Sequence, residues 1–355
     1  AIPGSEVDEA LRDAAGTLQG NLLVGVINSI GVRRDEQAVK VLATRLESAD
    51  TAVAAAAAAA LGCIGNEAAT QVLRNALASG PAEVRSAVAE GCILCAEQRA
   101  AQGDTAEAIE LFDQVRGADV PQPRVIESTR GAILARGQEG IPLLLEQLRS
   151  ADGKMFQLGL STAREFPGDR VDEALGRELA QTSPARAALI VQAMADRPQT
   201  VHRASVLAAA SGGPPQLRIA AIQALGQVGD TTCLPRLLAI AQEEDNQLAN
   251  AAKASLARMP GDAIDWEIKT RLADTSHDVY PLLLEVAGRR RINARDTYIR
   301  ALDDHNPAIR RAALLALGET VGLDQLQVLI SRLLAPAHED YATAAGEALP
   351  AARIR

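Results

Sequence analysis

Apolar residues recur along this chain at helical spacing and never alternate long enough to suggest a sheet. Leu217, Ala220, Ala221 and Ala224 lie at i, i+3, i+4 and i+7, one stripe of a helix from about 215 to 227. Val228-Gly229-Asp230-Thr231 interrupts it, glycine suiting the helix end and Asp or Thr capping the next helix. That second helix, about 232–243, presents Leu234, Leu237, Leu238 and Ala241 on one side. The same pair returns near the end of the chain. Asn306-Pro307 opens a first helix, and Leu326, Leu329, Ile330 and Leu333 stripe the second. The unit is helix A, turn, helix B, turn.

Two motifs give the period. Ile2-Pro3-Gly4-Ser5-Glu6-Val7-Asp8-Glu9-Ala10-Leu11 returns as 166–175 and, with Trp266 in the place of Glu9, as 259–268. Its prolines are 164 and 93 residues apart, close to five and three periods of about 32. Ala60-Leu61-Gly62, Ala224-Leu225-Gly226 and Ala316-Leu317-Gly318 are separated by 164 and 92. Helix A is expected to begin near 20, 51, 82, 122, 153, 184, 215, 246, 277 and 307. The long step from 82 to 122 predicts an extended helix A in the third pair, around Ala96 to Gly103. The expected fold is an all-α solenoid of about ten helix pairs, with a concave face lined by B helices. Residues 1–355 read as one continuous array that starts and ends mid-repeat, a segment of a longer chain with a covalent neighbour domain as its possible companion. It opens at the turn before a B helix and closes with a lone A helix over 340–348.

Composition agrees with thin helical layers. Of 355 residues 48% are hydrophobic but 2% aromatic, and about one in five is alanine. A length prior of two domains gives way to the repeat. The formal charge of −9 argues against binding a nucleic-acid backbone. The longest apolar tract, Ala52 to Ile64, is too short to insert in a membrane.

The segment 306–318, Asn-Pro-Ala-Ile-Arg-Arg-Ala-Ala-Leu-Leu-Ala-Leu-Gly, resembles the HEAT-like repeat of phycobilisome-lyase type, and 216–226 matches nearly as well. Gly25-Val26-Ile27-Asn28-Ser29-Ile30-Gly31-Val32-Arg33-Arg34 is similar to exported bacterial HEAT proteins, whose arrays are often joined to a sugar-active or haem-carrying domain. The resemblance implies a bacterial periplasmic or exported protein, with a cytoplasmic one as the alternative. It specifies fold and leaves function open. The first expectation is a non-catalytic protein–protein interaction scaffold. The alternatives are a chromophore (bilin) lyase-like activity and a spacer array of an exported sugar-active or redox protein.

No catalytic, cofactor or metal site is expected. Cys92-Ile-Leu-Cys95 has no second pair to complete a zinc site and reads as buried small hydrophobes. His338-Glu339 is the one His-Glu dipeptide, and His202, His277 and His305 are isolated. Arg85, Arg218 and Arg310 recur at one place in helix A, and Asp50, Asp245 and Asp304 mark inter-repeat turns. They read as ties between neighbouring repeats rather than as a ligand ladder. Arg289-Arg290-Arg291 is the dense basic cluster, expected as solvated surface. The expected partner contacts are Trp266, Tyr298, Arg295 and Arg236. Trp266 replaces Glu9 and Glu173 of the aligned motifs, so it faces solvent or folds over the edge of the next repeat.

Overall fold

In the computed structural model, the described residues are 4–274, 278–320, 323–334 and 339–348, and all their regular structure is helical. The backbone forms two compact units, residues 1–167 and 168–355. The first runs α1 (Ser5–Thr17), α2 (Gly20–Arg33), α3 (Val39–Leu46), α4 (Thr51–Ile64), α5 (Glu67–Ser79), α6 (Arg85–Gln102), α7 (Thr105–Gly117), α8 (Gln122–Ala135), α9 (Ile141–Arg149) and α10 (Gly153–Glu165). The second runs α11 (Arg170–Glu178), α12 (Pro184–Ala195), α13 (Arg203–Ser211), α14 (Pro215–Val228), α15 (Leu234–Ile240) and α16 (Asn246–Arg258). It continues as α17 (Asp262–Arg271), α18 (Tyr280–Arg289), α19 (Arg295–Ala301), α20 (Pro307–Thr320), α21 (Leu323–Leu334) and α22 (Glu339–Ala348).

Even-numbered helices are the A helices and odd-numbered ones the B helices. The A starts at 20, 51, 122, 153, 184, 215, 246 and 307 are those the pattern predicts. Side-chain caps explain several of them. Asp50 accepts from Ala52 N and Val53 N, Asp152 from Lys154 N, and Asp245 from Gln247 N and Leu248 N. Near 82 a 3-10 turn over Ala82–Val84 comes first and the α-helix begins at Arg85. Residue 277 lies outside the described residues, and α18 begins at Tyr280. The extended third helix is present: α6 has 18 residues and stops where Gly103 turns left-handed at φ 88°.

The core is a series of thin Ala/Leu layers. Helix α4 is the extreme case, with nine of its fourteen residues buried and six of those glycine or alanine apart from Val53, Leu61 and Ile64. Small residues let successive A helices cross at backbone distance. A methyl added to Gly62 would lie 2.6 Å from Gly91 Cα, and one on Gly226 would lie 3.0 Å from Ser255 Cα. One on Gly318 would lie 2.5 Å from the carbonyl oxygen of Ala348. The Ala-Leu-Gly signature therefore marks the crossing point between repeats.

Candidate protein-interaction surface

The three copies of the Pro-Gly motif build the same clasp. Each carries an aspartate, Asp8, Asp172 or Asp265, and an arginine 25 residues later grips it from the end of the following A helix. Arg33 Nε donates to Asp8, while its Nη2 reaches Gly4 O at 3.1 Å. Arg197 donates to both oxygens of Asp172 at 3.1–3.3 Å and to Gly168 O at 2.6 Å. Arg290 donates to Asp265 at 2.6 Å and to the carbonyls of Leu256 and Met259. The first copy's Ile2 and Pro3 lie outside the described residues. In α17 this clasp fixes Asp265, whose side chain stays 40% exposed, next to the buried Ile264.

Trp266 is 67% exposed, and its counterparts Glu9 and Glu173 are exposed too. Solvent exposure, rather than folding over the next repeat, is thus the geometry of this side chain. Lys269 and Thr270 are exposed on the following turn, and the Thr270 hydroxyl donates to Trp266 O. Arg295, the first residue of α19, is also exposed.

Of the other two expected contacts, Tyr298 lies in the core and Arg236 is half-buried. Tyr298 is fully buried, and its hydroxyl donates to Ile292 O at 2.9 Å. Burial pushes its phenol well above the usual range. The signal was in the spacing: Ala294, Tyr298, Ala301 and Leu302 form the i, i+4, i+7, i+8 stripe of α19, all buried. Arg236 turns back onto the end of α13, donating to Ser211 Oγ at 2.9 Å and Ser211 O at 3.1 Å.

The basic run 289–291 is divided three ways. Arg289 pairs with Glu285 at 2.8 Å, Arg290 closes the clasp, and Arg291 approaches Glu319 at 4.0 Å. Arg85, Arg218 and Arg310 behave as turn ties. Arg85 bonds Gly80 O and Asp119, Arg218 bonds Ala210 O and Glu243, and Arg310 bonds the carbonyls of Asp304 and His305. Cys92, Cys95 and Cys233 are buried, and burial pushes the Cys92 thiol up to about 12 and Cys95 upward as well. Among the described residues no group of three or more His, Cys, Asp or Glu is placed to hold a metal ion. His277 and His338 lie outside the described residues. No described helix is long and apolar enough to cross a membrane.

A second feature of this unit is an open apolar groove of about 430 Å³ among α11, the start of α12, α13 and the start of α14. Leu179, Ala180, Ala187, Ala208 and Leu217 line it.

The family profile for HEAT repeats matches residues 9–92 and 265–350, and that for the PBS lyase HEAT-like repeat matches 217–243. The chain is a HEAT-like repeat protein. No curated protein sequence matches this HEAT-like chain. Among solved structures, its fold is similar to the karyopherin Kap121p bound to the SUMO protease Ulp1p, at TM-score 0.53 and 12% identity. Kap121p bound to Nup53p matches equally, and Kap121p bound to Ste12p matches at TM-score 0.53 and 13% identity. Each comparison covers 98% of the HEAT-like array and 45% of the karyopherin chain. At this identity the likeness concerns the all-α solenoid fold alone.

Proposed function

We propose that this HEAT-like array is a non-catalytic protein-interaction scaffold, with Trp266 as an anchor for a protein partner. The observation that carries this reading is the exposed indole at a position that is glutamate in both other copies of the motif. Leaving a tryptophan in water forgoes burial worth on the order of 2–3 kcal/mol, and a partner that covers it recovers that energy. Arg295 is proposed as a second contact in the same unit, and the apolar groove beside α13 offers a recess for an aliphatic side chain. The proteins bound to Kap121p in the similar structures support protein binding as the use of such a fold.

A photo-cross-linking amino acid placed at position 266 of the full chain tests this in native extract. The expected result is a discrete heterologous protein adduct, which Trp266→Glu in an otherwise unmodified competitor fails to displace while the unsubstituted chain displaces it. Cross-linking solely within the chain or to no protein at all would overturn the reading.

A further inference from the structure

The B helices of the second unit keep one register. Val206, Leu237 and Ile268 are buried at intervals of 31 residues, and the residues two before and two after each point the other way. These are Ala204 and Ala208 in α13, Pro235 and Ala239 in α15, and Trp266 and Thr270 in α17, all exposed. Helix α13 packs against α11 and α15, and α17 against the 3-10 turn that leads into α15, so the three pairs form one strip. It joins two apolar anchors. The indole of Trp266 stands at one end, and at the other is the groove beside α11 and α13, whose wall includes Leu179 and Ala208. With neighbouring helices ~9–10 Å apart, about 18–20 Å separates α13 from α17.

Charge and hydrogen bonding specify what fits between the anchors. The next B helix on either side carries an acid and a base at the same two places, all exposed. These are Glu173 and Arg177 around the buried Leu175 of α11, and Asp296 and Arg300 around the buried Tyr298 of α19. In both, the acid comes first. No charge stands at the six positions of α13, α15 and α17. In the first unit the equivalent places around Leu42, Leu73 and Leu144 include Lys40, Gln71, Asn75 and Glu146. The hydroxyls on and beside the strip are already engaged. Thr270 donates to Trp266 O at 2.9 Å, Ser211 donates to Leu207 O at 2.8 Å, and Ser205 Oγ shares a hydrogen bond with His202 Nδ1 at 2.7 Å. An extended peptide laid here would lose water from its own N–H and C=O groups and gain no partner for them. A helix brings its hydrogen bonds with it.

We propose that this strip binds one α-helix of a heterologous protein, lying across α13, α15 and α17. One apolar residue of that helix meets Trp266, and another, about 12–13 residues away at ~1.5 Å per residue, enters the groove. Its underside is uncharged over Pro235 and Ala239. Its ends carry basic residues on the edge of Glu173 and Asp296 and acidic ones on the edge of Arg177 and Arg300. The inference rests on Trp266 being a partner anchor, and adds the conformation, direction and charge pattern of the segment that it meets.

The test places a photo-cross-linking amino acid at position 204, 239 or 266 of the full chain in native extract and maps each adduct by peptide mass spectrometry. The expected result is labelling of one segment of one protein from all three positions, with the sites reached from 204 and 266 about 12 residues apart. A separation of about six residues, set by the ~3.3 Å rise of an extended chain, would overturn the proposal. Adducts from 266 with none from 204 or 239 would also overturn it and leave Trp266 an anchor, whereas no adduct from 266 removes both readings. Labelling of a second copy of this chain overturns it too. Ala239→Glu is expected to cut the yield from 266 at least tenfold relative to Ala239→Gln, and equal yields from the two variants would remove the requirement for an uncharged underside and with it the proposal.

Discussion

Asp172 and Arg197 show what one clasp contributes when it is enclosed. Their side chains are 0% and 6% exposed, and the guanidinium fills its fork with both carboxylate oxygens and Gly168 O. Removing one partner strands a buried charge, so Arg197→Met is expected to cost about 3–5 kcal/mol, read from denaturant melts. Replacing both residues by apolar ones of similar volume is expected to recover most of that loss. The equivalent Asp8–Arg33 pair behaves differently, being only half-buried. The hydrogen bond from Arg33, with charge attraction, holds the Asp8 carboxyl below its ordinary range against a smaller opposing effect of burial. A carboxylate whose folded pKa is depressed stabilises the fold above its unfolded pKa, and loses that contribution as pH falls through the folded one. Hydrogen exchange of α1 amides is therefore expected to quicken relative to α4 below about pH 4, and Asp8→Asn is expected to flatten that difference. The aspartates were legible in the repeated motif. Their arginines were not, because a 25-residue offset across a turn has no signature until helix lengths are known.

Helix starts were the most legible feature at the scale of elements, since Asp caps and Pro at the first turn mark them chemically. B helices were read too long: the segment expected over 232–243 is a 3-10 turn over Thr231–Cys233 followed by α15, which ends at Ile240. Its apolar stripe was nevertheless correct, Leu234, Leu237, Leu238 and Ala241 all being buried. The glycine of Ala-Leu-Gly was visible as a repeat but its reason was not, because close approach between helices involves a residue 29 or more positions away. Two substitutions separate the roles of glycine. Gly62→Ala drives a methyl into the backbone of α6 and is expected to lose about 1–3 kcal/mol. Gly25→Ala, in the open face of α2, is expected to gain about 0.5–1 kcal/mol from helix propensity, with both changes measured by thermal melts.

Over the whole molecule, stability resides in contacts between successive repeats, so damage is expected to stay local. Leu61→Ala removes a fully buried side chain and is expected to cost about 2–5 kcal/mol. Hydrogen exchange is expected to rise in α2, α4 and α6 while α9 keeps its protection. The fold class was readable from periodicity because every layer repeats the same few apolar positions. The surface was readable only in part. Trp266 stood out by replacing an acid, whereas Tyr298 was taken for a surface residue by type when its position in the stripe of α19 turns it inward. Concealment of the thiols has a consequence of its own. Burial pushes the Cys92 thiol up to about 12, so its thiolate is scarce at neutral pH, and Cys95 and Cys233 are enclosed as well. Oxidants and disulfide-exchange catalysts find little to attack at these three positions. These three thiols are therefore poor targets whether their surroundings are reducing or oxidising.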